Sequence, residues 1–178
     1  GLGDRYLDPF REAIEIGQRS GVPVHITHFY QRSPSPGGGQ RLLRLVEDAH
    51  ESGQDVTFDS YPYIYGSTRI LIVFPDWAHD GGPEKLKDVL RSDDGRKRLR
   101  QEVGPRSPSW DDMWLTYFKR PENHRYEGKS IAEVAEAMGM HPVDALCDLL
   151  LTEDLQTCFV MAGASGNTLP AFVTHPLS

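Results

Sequence analysis

VPVHITHFY (22–30) and DVTFDSYPY (55–63) are two short runs of β-branched and aromatic residues, and each closes on polar side chains. Between them the apolar positions change period. Leu42, Leu45, Val46 and Ala49 share one face of a helix expected over about 40–52, with Gly53 beyond its end. Strand, loop, helix and strand then repeat at a spacing of about 32 residues. A connection of that kind joins parallel strands, and it does so in the right-handed sense. This unit places the chain in the α/β class.

Outward from that unit, residues 8–20 read as an amphipathic helix. Asp8 is placed to cap it, Pro9 fits its first turn, Phe10, Ala13, Ile14 and Gly17 share a face, and Gly21 ends it. The SPSPGGG stretch (33–39) reads as a βα loop. Further on, WAHDGGPEKLKDVLRS gives a turn and a helix, and MWLTYF (113–118) a possible strand. Ser130 and Glu133 form a capping box, Pro142 opens a second helix, TCFVMAG (157–163) is a last strand, and LPAFV a short helix. Roughly three core parallel strands with covering helices are expected. A closed (β/α)₈ barrel takes about 250 residues, so a chain of 178 fits a partial TIM-like barrel.

Composition narrows the function. A formal charge of −7 opposes a nucleic-acid partner, which needs a basic face. The basic residues of RSDDGRKRLRQE (91–102) alternate with acids and read as a solvated helix face. No apolar run approaches the ~20 residues that cross a bilayer, so no membrane partner is expected. Cys147 and Cys158 lack a C-x-x-C spacing and read as reduced core thiols, which points to the cytoplasm.

Candidate chemistry lies at the strand ends. Side chains alternate along a strand, so His25 and His28, three apart, are expected on opposite faces and unable to share an ion. His28, at the carboxyl end, falls where parallel α/β folds carry their chemistry; the alternative is a histidine satisfied by its neighbours. His25 reads as structural. Asp59, Tyr61 and Tyr63 share a side of the next strand. Asp59 suits either an orienting partner for an imidazole or a cap for the YGST loop (65–68). His50, His79, His124, His141 and His175 stand apart from clustered acids, and His141 fits a helix cap before Pro142.

Taken together, REAIEIGQRSGVPVHITH, DVTFDSYPYIYGST, WAHDGG and GKSIAEVAEAMGMHPVDALCDLLLTED resemble, in this order, the N-acyl-D-amino-acid deacylases of the amidohydrolase superfamily. The resemblance implies a metal-dependent TIM-like barrel that hydrolyses the amide of N-acyl D-amino acids with a zinc-activated water. It places His28 at the metal centre, as a weaker or secondary ligand in single-zinc members. It puts Tyr30 where the family carries a lysine for the substrate carboxylate, and gives Asp59 and Tyr61 a pocket-shaping role. The family's H-x-H pair and its ligating cysteine would precede Gly1, and its catalytic aspartate would follow HPLS (175–178). Neither cysteine matches the ligating one. The expectation is therefore an internal segment of a zinc enzyme with no catalytic residue of its own, inert alone and self-associating through its open edges. Its partner would be a small N-acyl amino acid. The competing expectations are a non-catalytic scaffold, favoured by Tyr30, and a dihydroorotase- or hydantoinase-like amidohydrolase.

Overall fold

A computed structural model describes residues 5–31, 38–103, 109–163 and 166–178. They fall into two compact units, one of 1–66 with 162–178 and one of 67–161.

The first unit is built on the decisive strand–helix–strand run. Helix α1 (Asp8–Ser20) leads into β1 (Val24–Ile26), α2 (Gly38–Glu51) follows, and β2 (Val56–Phe58) lies parallel to β1 with Val24 opposite Val56 and Ile26 opposite Phe58. Both helices cover the same face. Ile14, Leu42, Val46 and Ala49 are buried with Ile26, Val56 and Phe58. A side chain on Gly17 would collide with Val24, so glycine lets α1 lie close on β1. The opposite face carries His25 and Thr57, both exposed. A parallel pair normally has both faces covered; here one is open and polar.

The second unit carries α3 (Asp76–His79), α4 (Gly82–Arg91), α5 (Asp93–Val103), α6 (Ile131–Met138) and α7 (Pro142–Thr152). The expected capping box forms, with Ser130 Oγ accepting from Glu133 N–H and Glu133 accepting from Ser130 N–H. His141 Nδ1 accepts from Val143 N–H at the start of α7. Helix α5 buries only Leu99 and Val103, but its basic face is not wholly solvated as the charge pattern suggested: Arg96 meets Asp148 and Arg100 meets Asp144 on α7, both at 2.6 Å, while Arg98 pairs with Glu102 and lies over the Trp77 ring. A three-stranded sheet runs in the order β3 (Tyr65–Arg69), β5 (Cys158–Ala162), β4 (Trp114–Thr116).

That sheet corrects one expectation. TCFVMAG is a strand, but β5 pairs antiparallel with β4, Phe159 opposite Leu115, and the parallel set among the described residues is two strands instead of three. Strand polarity belongs to the partner, and the sequence of β5 does not name its partner. Asp8 also departs from its expected role: α1 has no side-chain cap, and Asp8 pairs with Arg5 at 2.9 Å. Most of SPSPGGG, at 33–37, lies outside the described residues. Among the described residues no helix is long and apolar enough to cross a membrane.

Cys147 is fully buried on α7, and burial pushes its thiol up to about 12. A free thiol ionises near 8.5, so in the folded chain Cys147 stays protonated at pH 8 and the nucleophilic thiolate is absent. Iodoacetamide at pH 8 should leave Cys147 unmodified in buffer and alkylate it in urea. Labelling at equal rates in both would mean that α7 is not packed as described. The folded thiol binds its proton where the unfolded one has lost it, so stability should fall as pH rises above about 8.5.

Candidate active site

The open face of β1 and β2 gathers the polar groups of the first unit. His25 Nδ1 lies 2.8 Å from Thr57 Oγ1, and His25 Nε2 lies 3.3 Å from Asp59 Oδ2. The other oxygen of Asp59 accepts the His28 N–H at 2.9 Å. The strands continue to pair past their regular ends, with Asp59 N–H donating to Ile26 O and Phe29 N–H to Asp59 O. Asp59 thus sits at the carboxyl ends of both strands.

His28 occupies this site for a backbone reason. Strand β1 stops at Ile26, and His28 has φ of +59°, in the left-handed region. That conformation costs a residue with a Cβ about 1–2 kcal/mol, and the bond to the Asp59 carboxylate offsets it. The turn sends Phe29 into the core, where it is fully buried, and leaves His28 exposed. Strict alternation, which put the two imidazoles on opposite faces, therefore fails after Ile26. Both histidines reach the same carboxylate, His25 through its ring and His28 through its main chain. His25 itself is exposed.

The His28 N–H is the main cause that lowers the Asp59 carboxyl below the ordinary carboxylate range, and His25 adds to it. Asp59 remains ionised across the neutral range and acts only as an acceptor. Its two oxygens meet the His25 ring and the His28 N–H.

The His28 ring stands edge-on to Tyr61, with centroids 6.2 Å apart, and Tyr61 stands edge-on to Tyr63 at 5.2 Å. His28, Asp59 and Tyr61 are thus brought together. Tyr30 is half-buried and packs against the core of the first unit. Thr57 and the contact of His25 with Asp59 had no place among the sequence expectations, though a signal was present: His25, Thr57 and Asp59 interrupt two apolar strands at period two, opposite Val24, Ile26, Val56 and Phe58.

Two other histidines, beside His141, have local partners. His124 Nε2 lies 2.9 Å from Phe118 O. His175 Nδ1 accepts from Leu177 N–H, and its Nε2 faces Glu47 at 3.2 Å.

As a metal centre the set is incomplete. The His28 ring makes no hydrogen bond among the described residues and offers a free nitrogen, but both nitrogens of His25 are engaged. Among the described residues no group of three or more His, Cys, Asp or Glu is placed to hold an ion. A zinc site takes three or four protein ligands, so these residues do not make one by themselves.

No family model matches the chain. Over 69 residues, 38% of the chain and 14% of the relative, it is 36% identical to a D-aminoacylase of Alcaligenes xylosoxydans xylosoxydans. Among solved structures, the N-acyl-D-glutamate deacylase of Bordetella bronchiseptica, complexed with zinc and a phosphonate mimic of the tetrahedral intermediate, superposes with a TM-score of 0.66 at 18% identity, over 99% of this chain and 29% of that one. A D-aminoacylase characterised for its binuclear metal centre superposes with a TM-score of 0.57 at 22% identity, over 96% and 28%. The chain thus spans under a third of the length of the structures it matches. This chain is thus similar in sequence, over 69 residues, to a D-aminoacylase and in fold to the N-acyl-D-amino-acid deacylases of the amidohydrolase superfamily.

Proposed function

We propose that residues 1–178 are one segment of the catalytic barrel of a zinc-dependent amidohydrolase, which hydrolyses the non-peptide C–N amide of N-acyl D-amino acids. The observation that carries this reading is the exposed His28 ring, free of hydrogen bonds among the described residues and fixed at the carboxyl end of a parallel strand pair by Asp59. His28 is the one metal ligand proposed here, and further ligands and the catalytic aspartate would come from residues outside this segment. Tyr61 and Asp59 wall the substrate pocket. Tyr30, in the family's lysine position, offers a phenol without positive charge, so a substrate carboxylate would be met there by a hydrogen bond alone.

The 178-residue chain should not hydrolyse N-acetyl-D-amino acids, with or without added zinc. The polypeptide extended at both ends by the adjoining coding sequence should do so, and His28→Ala in that polypeptide should lower kcat/KM at least about 100-fold, since losing only a partner that orients a metal ligand already costs about 10–100-fold. Turnover by the chain alone, or none by the extended one, defeats the proposal.

A non-catalytic scaffold of the same fold is the second reading, and the absence of an ammonium at Tyr30 favours it. Self-association belongs to either. β1 has a strand neighbour on one side only among the described residues, and an unpaired edge is a template for another chain. Sedimentation velocity should show a dimer or larger species, and a monomer at all concentrations would contradict it.

A further inference from the structure

We infer that His25 is a positioning residue, the middle member of a directed chain Thr57–His25–Asp59 that holds the His28 turn in place. Its catalytic consequence rests on the reading of His28 as an active-site residue; its structural consequence does not.

The direction of the chain follows from what each group can donate. Asp59 is ionised and accepts only, so the ring nitrogen that faces it, Nε2, must carry the hydrogen. In the neutral imidazole Nδ1 is then an acceptor, and the Thr57 hydroxyl 2.8 Å away donates to it. His25 thereby grips one oxygen of Asp59 while the His28 N–H grips the other. A half-exposed carboxylate with a single partner rotates about its last bond. One held at both oxygens by groups from β1 and the turn after it has a single orientation.

That orientation matters because the His28 turn has no glycine to relax it. Its left-handed backbone persists through the bond to Asp59. Removing the grip of His25 frees Asp59 to swing away, the turn loses its acceptor, and the His28 ring loses its aim while its own chemistry is untouched. His25 touches neither the His28 ring nor Tyr61 in any contact described, and it acts only through Asp59.

Nuclear magnetic resonance on the 178-residue chain tests the structural half. Imidazole ¹⁵N spectra of the wild type should report the Nε2–H tautomer for His25; the Nδ1–H tautomer would reverse the chain and overturn the inference. His25→Leu should shift the His28 amide resonance and raise its hydrogen-exchange rate at least tenfold. His25→Gln, which extends an N–H towards Asp59, should restore most of the protection. An unchanged His28 amide in His25→Leu would overturn the inference, as would equal loss in both variants. In the extended polypeptide, His25→Leu should lower kcat about tenfold with KM changed less than twofold, and His25→Gln should recover it. An inactive wild-type polypeptide would defeat the functional reading and leave the amide measurements to decide the role of His25.

Discussion

Replacing Phe29 with alanine should destabilise the first unit by about 3–5 kcal/mol, the range for truncating a fully buried phenylalanine. The ring has no exposure, and its centroid lies 5.0 Å from that of Phe10, 4.8 Å from Phe58 and 5.7 Å from Phe172. It therefore ties α1, β2 and α8 (Leu169–Val173) to the end of β1. None of these neighbours can close the hole alone, because each is anchored in a different element. The loss should reach the site as well. Phe29 follows His28 directly, and the left-handed turn at His28 is what aims one ring inward and the other outward. With the inward ring gone, the turn keeps the bonds to Asp59 and the Ser60 hydroxyl on the main-chain oxygen of residue 29. Because the chain has two compact units, the measurement should use urea titration followed through amide resonances of each unit separately. The first unit should lose its stability and the second keep it. A loss below about 1 kcal/mol in the first unit would mean that the four rings are not packed together.

The legible part of the fold is the part governed by local rules. Helix α1 runs over Asp8–Ser20 as its apolar spacing and Gly21 indicated, and the Ser130–Glu133 box forms because both partners lie within one turn. The parallel pairing of β1 with β2 was readable because the length of the intervening helix permits little else. What was not readable depends on partners distant in the chain. The polarity of β5 is set by β4, some forty residues upstream. The site shows the same division. Asp59 and Tyr61 could be placed beside His28 from the strand ends, whereas the reach of His25 to Asp59 needed the register of Val24 on Val56, which no local pattern supplies. The turn at His28 gave no signal at all: left-handed backbone is ordinarily marked by Gly or Asn, and this chain adopts it at His28, Tyr117, Asp154 and Leu155 as well as at glycines such as Gly21 and Gly139. Where tertiary bonds sustain an unfavourable φ, the residue type carries no warning.

Glu153→Ala should cost the second unit about 2–4 kcal/mol, the sum expected when a few buried donors lose their acceptor. Glu153 closes α7 with 1% exposure, unusual for a carboxylate, and no cation pairs with it in any contact described. Its oxygens accept instead from the Lys119 N–H at 2.6 Å, from the Arg120 N–H and from the Asn123 amide. The loop after β4 is thus pinned to the end of α7 by neutral donors. Tyr117, with φ of +59°, opens that loop, and Asp154 and Leu155, both left-handed, follow Glu153. One carboxylate therefore sustains strained backbone on both sides of it. Truncation leaves Lys119 N–H, Arg120 N–H and the Asn123 amide without the acceptor they share. Glu153→Gln should cost less, since it keeps one carbonyl acceptor and the same volume, but its NH₂ group faces a donor. The order wild type, Gln, Ala in thermal midpoint, with amide exchange rising first at Lys119 and Arg120, is the expected result. Equal midpoints for wild type and Ala would mean that water replaces the lost carboxylate on these donors, and that the loop owes its shape to the rings of Phe118 and Tyr126.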